Sequence, residues 1–151
     1  MKMIKQMKVA AAAMVVTLPL ALPTAVHAQE FPLVAGDYSQ VSGIFVKDGG
    51  AFKYATHLAT KWLDVQKFAK SKGWISDYKI LVNEYPRDGE PTIYLMTTFA
   101  KMADATEAER RNKAYDAYMQ SSAEQQIAES GNRAEYRTVQ SSMLLREYKP
   151  R

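Results

Sequence analysis

Residues 76–99, SDYKILVNEYPRDGEPTIYLMTTF, contain two apolar runs on either side of a centre that is rich in turn residues. The centre, Pro86 to Pro91, combines two prolines with Asp-Gly, and such residues end strands and form turns. The stretch therefore predicts a β-hairpin with strands over about 77–85 and 92–100. Both strands are apolar at odd and even positions, whereas a sheet with one face in water alternates apolar and polar residues. The second face of the sheet therefore needs a cover.

The sequence outside the hairpin predicts a strand and a helix on each side of it. Residues 38–47 are rich in β-forming side chains, and Gly43 within them is typical of a bulge, whereas 29–37 predict a short arm. A first helix is predicted over 51–72, where apolar residues recur every three or four positions. Its stripe consists of Ala51, Ala55, Leu58, Trp62, Val65 and Ala69.

The sequence after the hairpin predicts a second helix and a last strand. The helix starts near residue 104, where Thr106 and Glu109 have the spacing of a capping box, and it closes at Gly131. Residues 138–148 predict the strand. The helix's predicted buried stripe consists of Ala108, Tyr115, Met119, Ser122 and Ile127.

This order, βαββαβ, predicts a ferredoxin-like α+β fold with an antiparallel sheet and two helices on one face. If Tyr85 faces Thr92, then Ile80 and Ile93 lie on the face that the helices cover. The other face is too apolar and aromatic to remain in water, and a second copy of the sheet is the simplest cover. We therefore predict a homodimer. Its interface candidates are Leu81, Tyr85, Tyr94 and Met96.

The size and element order of residues 38–148 resemble those of the dimeric α+β-barrel superfamily, in which the sheets of two chains face each other. The stretch KSKGWISDYKILVNEYPRDGEPTIYLMTTF is also similar to uncharacterised exported bacterial proteins of this size. The superfamily includes monooxygenases, muconolactone isomerases and haem-degrading enzymes. The haem-degrading members use an Asn on the first strand, and the first strand here, YSQVSGIFVK, has none. The resemblance therefore does not extend to haem breakdown.

The first 28 residues have the pattern of an export signal. Three lysines precede the uncharged run 9–22, and Val26-His27-Ala28 supplies small residues where a signal peptidase reads. Cleavage after Ala28 would leave one domain, 29–151, in the periplasm or the medium without a membrane anchor. A membrane-spanning helix is the alternative, but a span needs about 20 apolar residues, and this run is shorter and contains Pro19.

Charge and composition exclude several classes of function. The leader contains three of the 20 basic residues, so 17 remain against 16 acidic ones, without the concentrated basic patch of a nucleic-acid partner. The chain has no Cys, and only one of its two His lies beyond the leader, so no zinc site is expected. No glycine-rich phosphate motif occurs either. We predict no metal and no cofactor.

His57 is the one side chain beyond the leader with an ordinary pKa near neutrality. Tyr54, His57 and Lys61 share a side of the first helix, and with Trp62 and Asn83 they are the candidates for a ligand pocket. Alternatively, His57 faces solvent, Trp62 packs in the core and Asn83 bonds across the dimer.

We predict that the protein binds a small apolar or aromatic molecule between sheet and helices. The alternative is a cofactor-independent monooxygenase or isomerase that acts in the same pocket. His57 is then the weak candidate for a catalytic base, because no other side chain beyond the leader has an ordinary pKa near neutrality.

Overall fold

The computed structural model describes residues 30–151 and has α+β architecture, which confirms the predicted class. Its four strands are β1 (Leu33–Val46), β2 (Asp77–Val82), β3 (Ile93–Phe99) and β4 (Arg137–Pro150). They form one antiparallel sheet in the order β2-β3-β1-β4. The predicted signal peptide and its cleavage site lie outside the described residues. No helix in the described part of the chain is long and apolar enough to cross a bilayer.

The sheet extends further towards the N-terminus than the sequence predicts. β1 begins at Leu33, so the arm predicted over 29–37 is wrong from that residue onward. The reason is a partner far along the chain, since Leu33 pairs with Pro150 and Ala35 pairs with Tyr148 of β4. Hydrogen bonds to β4 order a segment whose own sequence has no strand periodicity.

The first helix is continuous but contains an irregular turn. It consists of α1 (Ala51–His57), a π-helical turn (Leu58–Trp62) and α2 (Leu63–Ser71). The preceding Gly pair forms a turn, in which Gly49 has a φ of 75° and Gly50 donates its N–H to the Lys47 carbonyl at 2.9 Å. A Cβ at Gly50 would lie 2.6 Å from the backbone oxygen of Tyr136, so the close approach requires glycine.

The predicted second helix is in fact two helices, α3 (Ala105–Met119) and α4 (Ala123–Asn132), so the prediction of two helices in total is wrong. Gln120 adopts the left-handed region with a φ of 50° and ends α3. Ser122 and Gln125 then form a capping box that starts α4. Ser122 therefore caps a helix instead of lying in a buried stripe.

The start of α3 also differs from the prediction. The carboxylate of Asp104 accepts a hydrogen bond from the Glu107 N–H at 2.8 Å, so Asp104 is the N-cap and the predicted Thr106–Glu109 box is wrong. Asp, Ser and Thr are all good N-caps, and two such residues lie within three positions of each other here. Ile127, expected in the buried stripe, is exposed.

One face of the sheet packs against the first helix and forms the core. The centre of this core consists of Ile44, Tyr54 and Leu58, which are at most 4% exposed. Around it lie Val46, Trp62, Ile80, Ile93, Leu95 and Tyr136. The predicted stripe included Ala51 and Ala55, but both are exposed.

The register of the hairpin is offset by two residues from the prediction. Thr92 lies opposite Asn83, whose N–H donates to the Thr92 carbonyl at 2.9 Å, and not opposite Tyr85. Because alternate side chains share a face, an offset of two leaves each strand residue on its predicted face. Tyr85, however, lies beyond the end of β2 and is 92% exposed in the turn.

The opposite face of the sheet presents apolar side chains to solvent, and we call it the open face. Leu81, which pairs with Tyr94, lies on it, and Met96 lies two positions along β3 on the same face. Four of its apolar side chains are 39–50% exposed: Phe45, Leu81, Met143 and Leu145. The alternation of the last strand predicts that Val139, Met143 and Leu145 share a face. A register shift between Gly43 and Ile44 inserts one residue into β4, so Val139 lies on the other face from Met143 and this prediction is wrong for Val139.

Candidate functional site

A cleft of about 140 Å³ lies between the first helix and the α3–α4 pair. Within residues 30–151 its lining comes from helical segments, whereas the sequence predicts a pocket between sheet and helices. The first helix contributes His57, Lys61, Trp62 and Val65. The facing residues are Tyr115, Met119, Gln126, Glu129 and Arg133.

The π-helical turn brings His57, Lys61 and Trp62 to one wall of the cleft. An α-helix closes hydrogen bonds between residues four apart, whereas a π turn closes them between residues five apart. His57 is the residue before this turn and Trp62, five positions on, is its last residue, so the turn aligns side chains that a regular helix would separate. Trp62 also contacts the Tyr78 ring edge-on, with centroids 5.9 Å apart, which anchors the wall to the sheet.

The facing wall is held in place by contacts outside the cleft. The ring of Tyr118 on α3 stacks on Phe68 of α2 with centroids 4.0 Å apart, and its hydroxyl donates to Asp64 at 3.0 Å. The Gln126 amide donates to the Asp116 carboxylate at 2.9 Å and so joins α4 to α3. The cleft is therefore preformed and does not depend on a ligand to assemble its walls.

The cleft contains more positive than negative charge. Among the residues that the structure describes, its cations are Lys61 and Arg133, and its carboxylate is Glu129. Neither cation forms an ion pair or a side-chain hydrogen bond with any residue in 30–151, and Nε of Arg133 is buried without an acceptor. Buried N–H groups are almost always paired in folded proteins. Nε of Arg133 is therefore an unsatisfied donor that is closed off from solvent, while other parts of the Arg133 side chain line the cleft.

His57 is neutral at physiological pH. Burial, and then the positive charges of Arg133 and Arg137, lower the pKa of His57 to about 4, although Glu129 acts in the opposite direction. Its ring stacks on Tyr54 with centroids 5.9 Å apart. Tyr54 itself is buried in the core behind His57, so this predicted pocket residue supports the cleft without lining it.

Asn83 does not belong to the cleft. Its amide nitrogen donates to the Pro91 carbonyl at 3.2 Å and to Glu90 at 3.4 Å, and its amide oxygen accepts from the Tyr85 N–H at 3.3 Å. These bonds close the hairpin turn, so the structure gives Asn83 a local role. His57 and Asn83 do not share a cavity.

The sequence predicts three of the residues that line the cleft: His57, Lys61 and Trp62. It does not predict the others as pocket residues, and these are Val65, Tyr115, Met119, Gln126, Glu129 and Arg133. A signal for the last three was present, because Gln126, Glu129 and Arg133 are spaced by three and four positions and so share one side of a helix.

The chemistry at the cleft comes from aromatic and thioether surface, two unpaired cations and a neutral imidazole. Within residues 30–151, no three or more His, Cys, Asp or Glu side chains cluster as a metal site would require. In comparisons with known proteins, no protein-family model, curated protein or solved structure matches the chain.

Proposed function

We propose that the chain binds a small aromatic or apolar molecule in the cleft between the first helix and the α3–α4 pair. The observation that carries the proposal is a preformed cleft with aromatic and apolar walls, including Trp62, Val65, Tyr115 and Met119. Ligand sites in proteins are typically concave, mostly apolar and fitted with a few polar groups that orient the ligand. Here Lys61 and the other polar lining residues supply such groups.

The electrostatics of the cleft favour binding over catalysis. A general base is most effective when its pKa lies near the working pH, and a His57 with a pKa of about 4 holds a proton too weakly. Asn83, the other polar candidate, lies in the hairpin turn. The alternative of a monooxygenase or isomerase therefore loses the group that would abstract a proton.

A thermal-shift screen against aromatic metabolites, haem and lipids tests the binding function. We expect aromatic compounds to raise the melting temperature, because a ligand that binds only the folded state stabilises it. Met119→Trp should fill the cleft and abolish the shift. Met102→Trp places the same ring at an exposed position outside the cleft and should leave it unchanged. Equal shifts in the two variants would contradict binding at this cleft.

The proposal includes a ferredoxin-like arrangement and a homodimer. If α3 and α4 are counted as one crossover, the element order becomes βαββαβ. The open face supports the dimer, since Leu81, Tyr94 and Met96 form an apolar patch on β2 and the neighbouring strand β3. Each 100 Å² of apolar surface removed from water contributes about 2.5 kcal/mol, part of which offsets the entropy of association.

Light scattering of matched tyrosine variants tests the dimer. The unmodified protein should have twice the mass of one chain, and Tyr94→Lys should give single chains or insoluble protein because it places a charge on the patch in both copies. Tyr85→Lys makes the same exchange in the exposed turn and should remain dimeric. A mass of one chain for the unmodified protein at micromolar concentration would refute the dimer.

Export to the periplasm or the medium completes the proposal and rests on the pattern of residues 1–28. Mass spectrometry of the secreted protein should find Gln29 at the N-terminus. An intact Met1 on membrane-bound protein would show instead that the apolar run is retained.

A further inference from the structure

We infer that the ligand of the cleft is a monoanion with a single aromatic ring, an aryl carboxylate of about the size of benzoate. This inference rests on the proposed binding function, because it names the ligand class of the same cleft. It follows from the volume and the aromatic walls of the cleft, and from two lining cations, Lys61 and Arg133, that form no ion pair with any residue in 30–151.

The volume and the walls of the cleft indicate one aromatic ring. A cavity of roughly 150 Å³ is known to hold benzene, and this cleft has a volume of about 140 Å³. Trp62 and Tyr115 offer ring surfaces from opposite walls, and aromatic pairs gain energy beyond their buried area. The thioether of Met119 makes favourable contacts with ring edges as well. A fused-ring or long-chain ligand would extend out of this open cleft into solvent, so a smaller share of its surface would be buried.

The unpaired donors indicate a carboxylate on that ring. The Arg133 side chain lines the cleft, and its guanidinium forms no ion pair with any residue in 30–151. The planar guanidinium matches the two oxygens of a carboxylate, which can accept from two of its N–H groups at once. Lys61, also without a partner in the described chain, adds a second positive charge at the same cleft.

The charge balance indicates a single negative charge. Among residues 30–151, two cations and one carboxylate line the cleft and His57 is neutral, so the lining carries one net positive charge, and Arg137 adds positive potential from outside the lining. A monoanion neutralises this charge. A dianion such as a phosphate monoester would add a negative charge next to Glu129, which disfavours it. The neutral imidazole of His57 can still donate one N–H to the ligand.

Titration calorimetry with benzoate, benzyl alcohol and acetate distinguishes the contribution of the aromatic ring to the affinity from that of the negative charge. We expect benzoate to bind at least about tenfold more tightly than benzyl alcohol, since hydrogen bonds to charged groups contribute about 1.5–3 kcal/mol. Acetate, which lacks the ring, should bind more weakly than either. Arg133→Gln should remove the preference for benzoate, while Arg87→Gln, the same exchange in the hairpin turn, should retain it.

A second measurement needs no variant. The imidazole protons of His57 report its pKa by NMR, and bound benzoate should raise this pKa because it places a negative charge in the cleft. Bound benzyl alcohol should leave it unchanged. A His57 pKa that does not respond to saturating benzoate would overturn the inference.

The outcomes also separate this inference from the proposed function. If benzyl alcohol binds as tightly as benzoate, the binding function stands and the anionic ligand class is wrong. If acetate binds as tightly as benzoate, the ring is not recognised and the inference also fails. If none of the three compounds binds at millimolar concentration, the binding function itself is refuted for ligands of this size.

Discussion

Replacing His57 with Gln should remove most of the stability loss that we expect when the pH falls from 7.5 to 5.0. The pKa of His57 is about 4 in the folded protein, against an ordinary value of 6.5. The unfolded chain therefore binds the proton more tightly than the folded one. The contribution to stability is fully present above pH 6.5 and is lost as the pH falls towards 4. Gln cannot be protonated, so the variant lacks this dependence.

The magnitude follows from the shift in pKa. Each unit corresponds to 1.36 kcal/mol, so a shift of about 2.5 units sets an upper limit of about 3 kcal/mol. The ring of His57 is only half-buried and lines an open cleft, so solvent screening reduces this to roughly 1–2 kcal/mol. Between pH 7.5 and 5.0 we expect a loss of about 1 kcal/mol in the free energy of unfolding.

The Glu107 carboxylate titrates below this window. Hydrogen bonds from Arg110 and then Arg111 lower the pKa of Glu107 to about 2, so its contribution is lost only as the pH falls below 4.5. His57 is the single histidine of residues 30–151. A pH dependence between 7.5 and 5.0 can therefore be assigned to it.

Urea denaturation at the two pH values measures the effect. A loss of 1 kcal/mol should lower the midpoint by roughly half a molar, given the usual dependence on denaturant. Arg133→Gln should raise the NMR pKa of His57, because its charge is the largest cause of the shift after burial. An imidazole that titrates at 6.5 or above, or parallel losses in the protein and His57→Gln, would refute the reasoning.

Substitutions at Leu58, Gly43 and Asp104, two of them with controls, test the packing and the capping of α3, and the free energy of unfolding in urea measures each. Leu58→Ala removes a core side chain that is 4% exposed and should cost about 2–5 kcal/mol; a loss below 1 would mean that the first helix does not pack on the sheet. Gly43→Ala should destabilise by about 1–3 kcal/mol, because its Cβ would lie 2.5 Å from Cγ of Pro91. In the control, Gly131→Ala in α4, the added Cβ meets nothing within 4 Å, so this substitution should stabilise the protein by about 0.5–1 kcal/mol. Asp104→Ala should cost about 1 kcal/mol and Asp104→Asn much less, and equal costs would refute capping of α3 by this side chain.

The sequence predicts the strands and the faces of the hairpin because local periodicity determines both. Ile80 and Leu95 lie in the core as their positions indicate, and the two-residue error in register does not disturb this. The strand over 33–37 could not be predicted, because it forms through pairing with residues more than a hundred positions away. Local patterns carry no information about such a partner.

Only some of the residues that line the cleft could be predicted from the sequence, for a related reason. His57 and Lys61 are four apart and share a side of any helix, so spacing alone groups them. Trp62 joins them because of the π-helical turn, which apolar spacing does not indicate. Arg133 reaches the same cleft because α3 and α4 are separate helices, and that break depends on the left-handed conformation of Gln120. Non-Gly residues adopt this conformation only uncommonly.

The cleft and the open face lie on different elements, so ligand binding and dimer formation can be tested independently of each other. No strand residue lines the cleft, and the open-face positions lie on β1 to β4. The cleft residue Trp62 contacts the sheet through the ring of Tyr78, and Tyr78 lies on the covered face of the sheet. Coupling between two sites requires an element whose arrangement both of them bias.

The core of Ile44, Tyr54 and Leu58 separates the two surfaces and is closely packed, so it offers no second arrangement. The affinity of the cleft for benzoate should therefore be the same in Tyr94→Lys as in the unmodified protein, if the variant remains soluble. A tenfold change in this affinity on loss of the dimer would show that the sheet transmits the state of its open face through Tyr78 and Trp62. Equal affinities would establish that the fold carries two independent binding surfaces, one for a small molecule and one for a second copy of the chain.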